Sequence, residues 1–211
     1  MPFTEELNRY LPDDLPDRDA VILKAALHLQ LIVTINRQFN LTRITDPREA
    51  VIKHVVDSVL PWRLFAEAKH ILDAGTGPGF PGIPLALVLP ERRFTLSESV
   101  GKKARFVESA ISELGLQNVT VATQRAEDVL RTQTIDVVTA RAVAPIGRAL
   151  DLFGPAVKMG SRALLYKGPD AGDEIAAAEA EIRKHKVRVR VLDRYELPEA
   201  FGSRTIVEVT Q

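Results

Sequence analysis

The chain of 211 residues contains no cysteine, which excludes a disulfide framework, a thiolate metal site and a thiol nucleophile. It also lacks net charge, since 28 basic residues balance 28 acidic ones. No global field therefore draws it to a polyanion, and a nucleic-acid partner must be met by a local patch or through a protein-bearing RNA particle. No Asp/His/Glu cluster has metal-ligand spacing, so no catalytic metal is expected. The apolar run Ile83–Leu89 is far too short to cross a bilayer. The N-terminus, Met1-Pro-Phe-Thr-Glu-Glu, carries acids where a secretory leader carries cations, so a cytoplasmic protein with no membrane partner is expected. Internal repeats, low-complexity tracts and coiled-coil heptads are also missing. What remains is ordinary globular material, 45% hydrophobic and 27% charged, enough for one domain with an appendage.

Residues 1–62 read as a helical segment packed on a sheet, and residues 63–211 as an alternating strand–helix domain, the two forming one structural unit. Thr4 can cap a first helix with Glu5 and Glu6 in its first turn. A long helix is expected from Asp17 to Phe39, with Ile22, Ala25, Ala26, Leu29, Ile32, Val33 and Phe39 at helical period. Asp46 can cap a third helix that starts at Pro47 and ends near Leu60. From residue 69, strands are expected at Lys69–Asp73, Arg93–Ser97, Asn118–Ala122, Ile135–Thr139, Ala163–Lys167, Val187–Leu192 and Thr205–Thr210. Helices are expected at Pro81–Leu89, Gly101–Leu114, Ala126–Arg131, Pro145–Val157 and Asp173–His185. This alternation implies an α/β, doubly wound, mostly parallel seven-stranded sheet. The last two strands, with no helix between them, form an antiparallel pair. Arg183–Arg190 alternates in its second half as a basic edge strand would.

The densest chemistry lies in Ile71-Leu-Asp-Ala-Gly-Thr-Gly-Pro-Gly-Phe-Pro-Gly82, a buried strand breaking into a glycine loop that opens a helix. Glycines there let a ligand lie against the main chain. Gly77-x-Gly79-x-x-Gly82 fits a dinucleotide fingerprint in one frame. In the other, Asp73-x-Gly75-x-Gly77-x-Gly79 fits the first motif of S-adenosylmethionine-dependent methyltransferases. The second frame is favoured because Asp73, just before the first glycine, can receive a ligand ammonium or an ordered water, whereas a diphosphate would be repelled. Glu98, at the end of the second strand, has the position of an acid that accepts ribose hydroxyls. Ala126 and Glu127, after the third strand, can read an adenine edge. Arg141, after the fourth, is suited to a carboxylate or an RNA phosphate. The cations Lys102, Lys103 and Arg105 at a helix start, where the dipole disfavours them, are candidate phosphate contacts. Methyltransferases acting on exocyclic amines often carry an acid or amide and two prolines after the fourth strand. Ala140-Arg-Ala142 stands here instead, which suits an acceptor atom with its own free lone pair, such as guanine N7. No acid–base catalyst is then needed, and catalysis is by positioning. His54 is expected as a packing histidine, and no role is assigned to Asn40 or Asp57.

The chain resembles the bacterial 16S rRNA guanine-N7 methyltransferases, also called the glucose-inhibited division protein B family. The resemblance is carried by Phe39–Pro47, Lys53-His-Val-Val-Asp-Ser58, Asp73–Pro84, Gly101-Lys-Lys-Ala-Arg-Phe106, Arg141-Ala142, Lys167-Gly168 and Arg204, from about residue 36 to the C-terminus. It implies a class I S-adenosylmethionine-dependent methyltransferase fold and methylation of N7 of one guanosine in small-subunit rRNA. It further implies donor contacts at Gly75, Phe80, Ala126, Glu127 and Arg141. With Asp73, Gly77 and Glu98 these make the expected donor site. Lys102, Lys103, Arg105, Lys167 and Arg204 are the candidate RNA contacts. The expected partner is 16S rRNA or the small ribosomal subunit, and the expected state is a monomer. Two other readings stay open: a non-catalytic RNA-binding or assembly factor on this fold, and an NAD-dependent oxidoreductase.

Overall fold

The computed structural model describes residues 2–36, 41–44 and 46–211. Phe39 and Asn40 therefore lie outside the described residues. The sheet has seven strands in the order β3-β2-β1-β4-β5-β7-β6. They are β1 His70–Ala74, β2 Arg93–Ser97, β3 Val119–Ala122, β4 Val137–Arg141, β5 Arg162–Lys167, β6 Arg188–Glu196 and β7 Ser203–Thr210. The pairs among β1 to β5 are parallel, while β7 runs antiparallel to both β5 and β6. The chain steps outward from β1 through β2 to β3, then returns to place β4 on the other side of β1. At such a reversal the flanking loops diverge and leave a crevice beyond the carboxyl ends of the strands. The glycine loop follows β1 and therefore opens onto that crevice.

Two helical layers cover the sheet. The helices α5 (Gly82–Val88) and α6 (Gly101–Leu114) lie on one face, and α7 (Ala126–Thr132), α8 (Ile146–Lys158), α9 (Ala171–Ala177) and α10 (Glu179–His185) on the other. The N-terminal α1 (Pro2–Tyr10) and α2 (Arg18–Asn36) add a third tier over α5 and α6. Leu7, Leu29 and Val55 share one continuous core with Ile71, Ile83, Leu96 and Phe106. By length and composition α2 could cross a membrane, but its Val21, Ile22, Ala25, Ala26, Leu29 and Ile32 are buried against the rest of the chain. Its apolar character is that of a core helix.

Several boundaries differ from the sequence expectation. Thr4 lies inside α1 rather than capping it. Asp46 does cap its helix, accepting the Glu49 N–H at 2.8 Å. The helix it starts is not uniform, however. After α3 (Pro47–Ala50) comes a π-helical turn, Val51–Val56, before α4 (Asp57–Val59). Such turns release backbone carbonyls from the regular ladder, and no residue-spacing rule announces them. The expected helix over 173–185 is broken at Ala178, and β6 runs four residues past Leu192. As the basic alternation implied, β6 is an edge strand with Arg188, Arg190 and Arg194 exposed.

Candidate active site

The glycine-loop side of the crevice is built by carboxylates that hold backbone. Gly75, Gly77 and Gly79 have φ of 69°, 60° and 107°, a left-handed region that side chains rarely adopt. Asp73, wholly buried, accepts the Thr76 hydroxyl at 2.6 Å and the Gly82 N–H at 2.8 Å on Oδ2. Glu98 accepts the Gly77 N–H at 3.2 Å and the Val100 N–H at 2.8 Å, one on each oxygen. From outside the loop, the buried His28 of α2 binds the Pro78 carbonyl at 2.8 Å through Nε2. The carbonyl can only accept, so Nε2 carries the proton and Nδ1 is left bare and unpartnered. Burial holds His28 neutral, its pKa falling to about 4. Closer approach of Gly79 to this helix is possible only without a side chain, since a Cβ there would lie 2.5 Å from Ile83 Cδ1 and 3.2 Å from His28.

Asp73 thus departs in part from its expected role of meeting the ligand. Its Oδ2 is committed to the loop, and burial raises its pKa to about 6 against the lowering effect of those hydrogen bonds. Oδ1, however, is buried with no partner. Glu98 keeps a free lone pair on each oxygen beside a cavity of about 260 Å³. Ala126 and Glu127, at the start of α7, line the same cavity. A larger cleft of about 770 Å³ shares Gly75, Val143 and Ala144 with it. The expected donor residues Gly75, Gly77, Phe80, Glu98, Ala126, Glu127 and Arg141 therefore border one continuous crevice.

The second side is built by cations and aromatic rings. The Phe80 ring lies parallel to His54 at 4.6 Å and 7°, with His28 tilted against it at 4.8 Å. The Arg141 guanidinium sits 5.6 Å from the Phe80 centroid, a cation–π distance. Arg141 is less free than expected. Its Nη1 donates to Lys53 O at 2.9 Å, one of the carbonyls of the π-helical turn, and to Asp57 Oδ2 at 3.1 Å. Asp57, 2% exposed, also pairs with Arg204 at 3.4 Å and accepts the Tyr195 hydroxyl at 3.1 Å. Burial and the Asp57 charge push the Tyr195 and Tyr166 phenols upward, so both stay protonated. His54 stays neutral, its pKa brought to about 3 by desolvation and then by Arg141, His28 and Lys53. It packs on Phe80 as expected, and it also lines the cleft.

The five RNA candidates separate into two groups. Lys167 and Arg204 line the large cleft with Lys53 and Arg141. Lys167 is paired with Glu174 at 2.7 Å and Arg204 with Asp57. Lys102, Lys103 and Arg105 start α6 and line neither the cleft nor the smaller cavity. The sequence reading missed His28, Tyr166, Tyr195 and Glu174, and gave Asp57 no role. The spacing Lys53-His54-x-x-Asp57-Ser58 was the available signal, with His54 and Asp57 three apart and so on one helix face. The partners of Asp57 come from β4, β6 and β7, which local pattern does not reveal.

Comparison with known proteins adds the family. The family model GidB, rRNA small subunit methyltransferase G, matches residues 22–200. The Ribosomal RNA small subunit methyltransferase G of Solibacter usitatus is 63% identical over 209 residues, covering 99% of this chain and all of that one. Its counterpart in Symbiobacterium thermophilum is 40% identical over 192 residues, covering 86% and 78%. Among solved structures, the O-methyltransferase of Bacillus cereus in complex with SAH has a TM-score of 0.59 at 19% identity, covering 88% of this chain and 91% of that one. TomG of Streptomyces achromogenes, in complex with SAM, scores 0.56 at 19% identity, covering 87% and 90%. These likenesses define the fold as the class I methyltransferase fold and set aside the nicotinamide frame of the glycines. The chain belongs to the rRNA small subunit methyltransferase G family, an enzyme family whose cofactor is S-adenosylmethionine.

Proposed function

We propose that the chain methylates N7 of a guanosine in 16S rRNA by direct displacement, with the donor along the glycine loop and the guanine in the large cleft. S-adenosylmethionine, when bound, supplies an electrophilic methyl group on a sulfonium. The residues present fit it. A Cβ at Gly77 would meet nothing within 4 Å, so the loop leaves room for a ligand against its backbone. Asp73, wholly buried and lining neither cavity, would serve the donor by holding the loop through Thr76 and Gly82. Glu98 would take ribose hydroxyls, and the first turn of α7 at Ala126 and Glu127 the adenine edge.

The observation that carries this reading is a cleft ringed by cations whose buried titratable side chains are either held neutral or committed to partners. Lys53, Arg141, Lys167 and Arg204 suit a phosphate chain. His54 is too weak a base, Asp57 is locked between two arginines, and Tyr166 holds its proton. Guanine N7 has an in-plane lone pair and no proton to lose, so the chain's task is alignment. The His54 ring, half-buried in the cleft and stacked on the buried Phe80, offers an aromatic surface of the kind on which unstacked bases are held. Arg141, clamped by Asp57 and the π-helical carbonyl, is held in the wall of the large cleft. The partner is the rRNA or small subunit, met in the cytoplasm by a monomer, with Lys102, Lys103 and Arg105 extending the phosphate contacts beyond the cleft.

The test is transfer of labelled methyl from S-adenosylmethionine to small subunits lacking the modification, followed by mapping of the labelled base. Label on N7 of a single guanosine is expected. Label on another atom or base refutes the acceptor assignment, and binding of the donor without transfer moves a scaffold role to the front.

A further inference from the structure

We propose that Glu174 reads the Watson–Crick edge of the acceptor guanine and thereby selects guanine over other purines. This rests on the cleft being the site of guanosine N7 methylation.

The cleft is lined by two carboxylates, Asp57 and Glu174, among four cations. Asp57 has no capacity to spare. Oδ2 accepts from Arg141 at 3.1 Å, Oδ1 accepts from Tyr195 at 3.1 Å, and Arg204 approaches both oxygens at 3.4 Å. Glu174 is arranged differently. Its Oε2 takes both available donors, Lys167 Nζ at 2.7 Å and Ile146 N–H at 3.1 Å. Oε1 receives no hydrogen bond from the described residues, and the side chain is 33% exposed and lines the cleft. One oxygen is thus pinned and the other is an open acceptor. The pinning removes rotamer freedom in advance, which lowers the cost of using the free oxygen for recognition.

The acceptor atom dictates what such a group can see. For N7 to face the donor, the imidazole edge of guanine must turn toward Gly75 and Arg141. The opposite edge, bearing the N1–H and the C2 amino group, then points away from the donor. Those are two hydrogen-bond donors, complementary to a carboxylate oxygen. Adenine offers the same N7 lone pair but presents a bare N1 lone pair and no amine at C2, so a carboxylate there repels it. The aromatic surface cannot make this distinction, because stacking tolerates every base. A polar group built to meet a substrate donor discriminates strongly, since the analogue lacking that donor leaves it desolvated and unpaired. Glu174 is placed for this. It stands in the first turn of α9 just beyond β5, and its anchors, Lys167 and Ile146, come from the end of β5 and the start of α8. Pro145, Lys167 and Glu174 of those segments line the same cleft as Gly75 and Gly77 of the glycine loop.

A merely structural Glu174, bracing β5 against α8 through Lys167 and Ile146, makes a different prediction, and inosine separates the two. Inosine keeps N7, O6 and N1–H but lacks the C2 amine. Small subunits are reconstituted with either guanosine or inosine at the methylated position, and kcat/KM for methyl transfer is measured with wild type, Glu174→Gln and Glu174→Ala. We expect inosine to lower wild-type kcat/KM roughly 10- to 100-fold. Any intrinsic difference in N7 reactivity is common to all three proteins, so the variants report it. The penalty should shrink to about twofold in Glu174→Ala and be intermediate in Glu174→Gln, which keeps an acceptor for Lys167. Equal inosine penalties in all three proteins, or no penalty in wild type, overturn the assignment even if overall activity falls. If wild type leaves the guanosine subunits unmethylated, the reading of the site itself fails, and the assignment falls with it. Thermal melting of the variants separates folding loss from either result.

Discussion

The two halves of the crevice are made by opposite devices. On the donor half, buried acids hold backbone N–H groups: Asp73 takes Gly82 and Glu98 takes Gly77 and Val100. On the substrate half, one buried acid, Asp57, holds two arginines and a tyrosine drawn from β4, β6 and β7. The first arrangement leaves the main chain open to a ligand and costs little beyond loop strain. The second fixes cations along the path proposed for the RNA, and pairs each charge it positions within the protein. Damage to the donor half should therefore appear first as lost donor affinity, and damage to the substrate half first as lost stability.

Asp57→Ala breaks the contrast most severely. It removes the buried carboxylate that balances Arg141 and Arg204, and the loss should be roughly 3 to 5 kcal/mol in urea unfolding. A loss under about 1 kcal/mol would mean that water already shares those groups. Gly77→Val should do the reverse. The open space beside Gly77 accommodates the added atoms, at about 1 to 3 kcal/mol for a β-branched residue at φ 60°. Donor affinity should fall by roughly 100-fold or more, about 2.7 kcal/mol in calorimetric titration. Normal affinity in a folded Gly77→Val protein contradicts the placement of the donor on this loop.

Acid sensitivity comes from both halves, and its sign can be worked out. His28 and His54 have native pKa values of about 4 and about 3, below the unfolded value of 6.5. The unfolded chain binds more protons in that window, so stability is lost as pH falls below about 6.5. Asp73, raised from 3.8 to about 6, works against this and favours the native state as pH falls through 6. Two histidines against one acid leave a net loss on acidification. Unfolding midpoints should therefore fall from pH 7 to pH 4.5, and His28→Gln should flatten the curve by about 3 kcal/mol at most. A profile that stays level to pH 4.5 in wild type would mean that the histidines are not buried neutral. Smaller still is Glu98→Ala, which should cost about 1 to 2 kcal/mol of stability and weaken S-adenosylmethionine binding without changing RNA affinity. The least effect is expected from Arg105→Ala, which lies outside both cavities. If Arg105 touches a phosphate, the salt dependence of subunit binding should become shallower by about one unit of log–log slope.

The same contrast explains what could be read from the sequence. The donor half is a local object. Asp73, four glycines and Phe80 lie within ten positions, and Glu98 and Ala126 follow at the ends of successive strands, so a strand–loop–helix pattern was enough to place them together. The order of elements and the antiparallel β6–β7 pair came from the same alternation. The substrate half is assembled by contacts between distant segments. Arg141 meets Asp57 from 84 positions away and Arg204 from 147, and His28 reaches Pro78 across 50. Arg141 was placed in the crevice, but its commitment to a π-helical turn could not be foreseen, because no residue preference marks where an i→i+5 turn will interrupt a helix. His28 was hidden by its own helix, where one histidine in an apolar stripe carries no sign of the loop it braces. Glu174 was simply one acid in the first turn of a helix, where acids are ordinary.

The most direct test of a crevice that aligns rather than deprotonates is the pH profile of single-turnover methyl transfer to small subunits, measured with saturating donor. A group that must lose a proton gives a unit rise in log rate per pH unit below its pKa. With N7 as acceptor and His54 already neutral, the rate should be level, within about twofold, between about pH 6.5 and 8.5. A slope near one with an inflection inside that range would contradict the alignment mechanism and require a general base in the cleft.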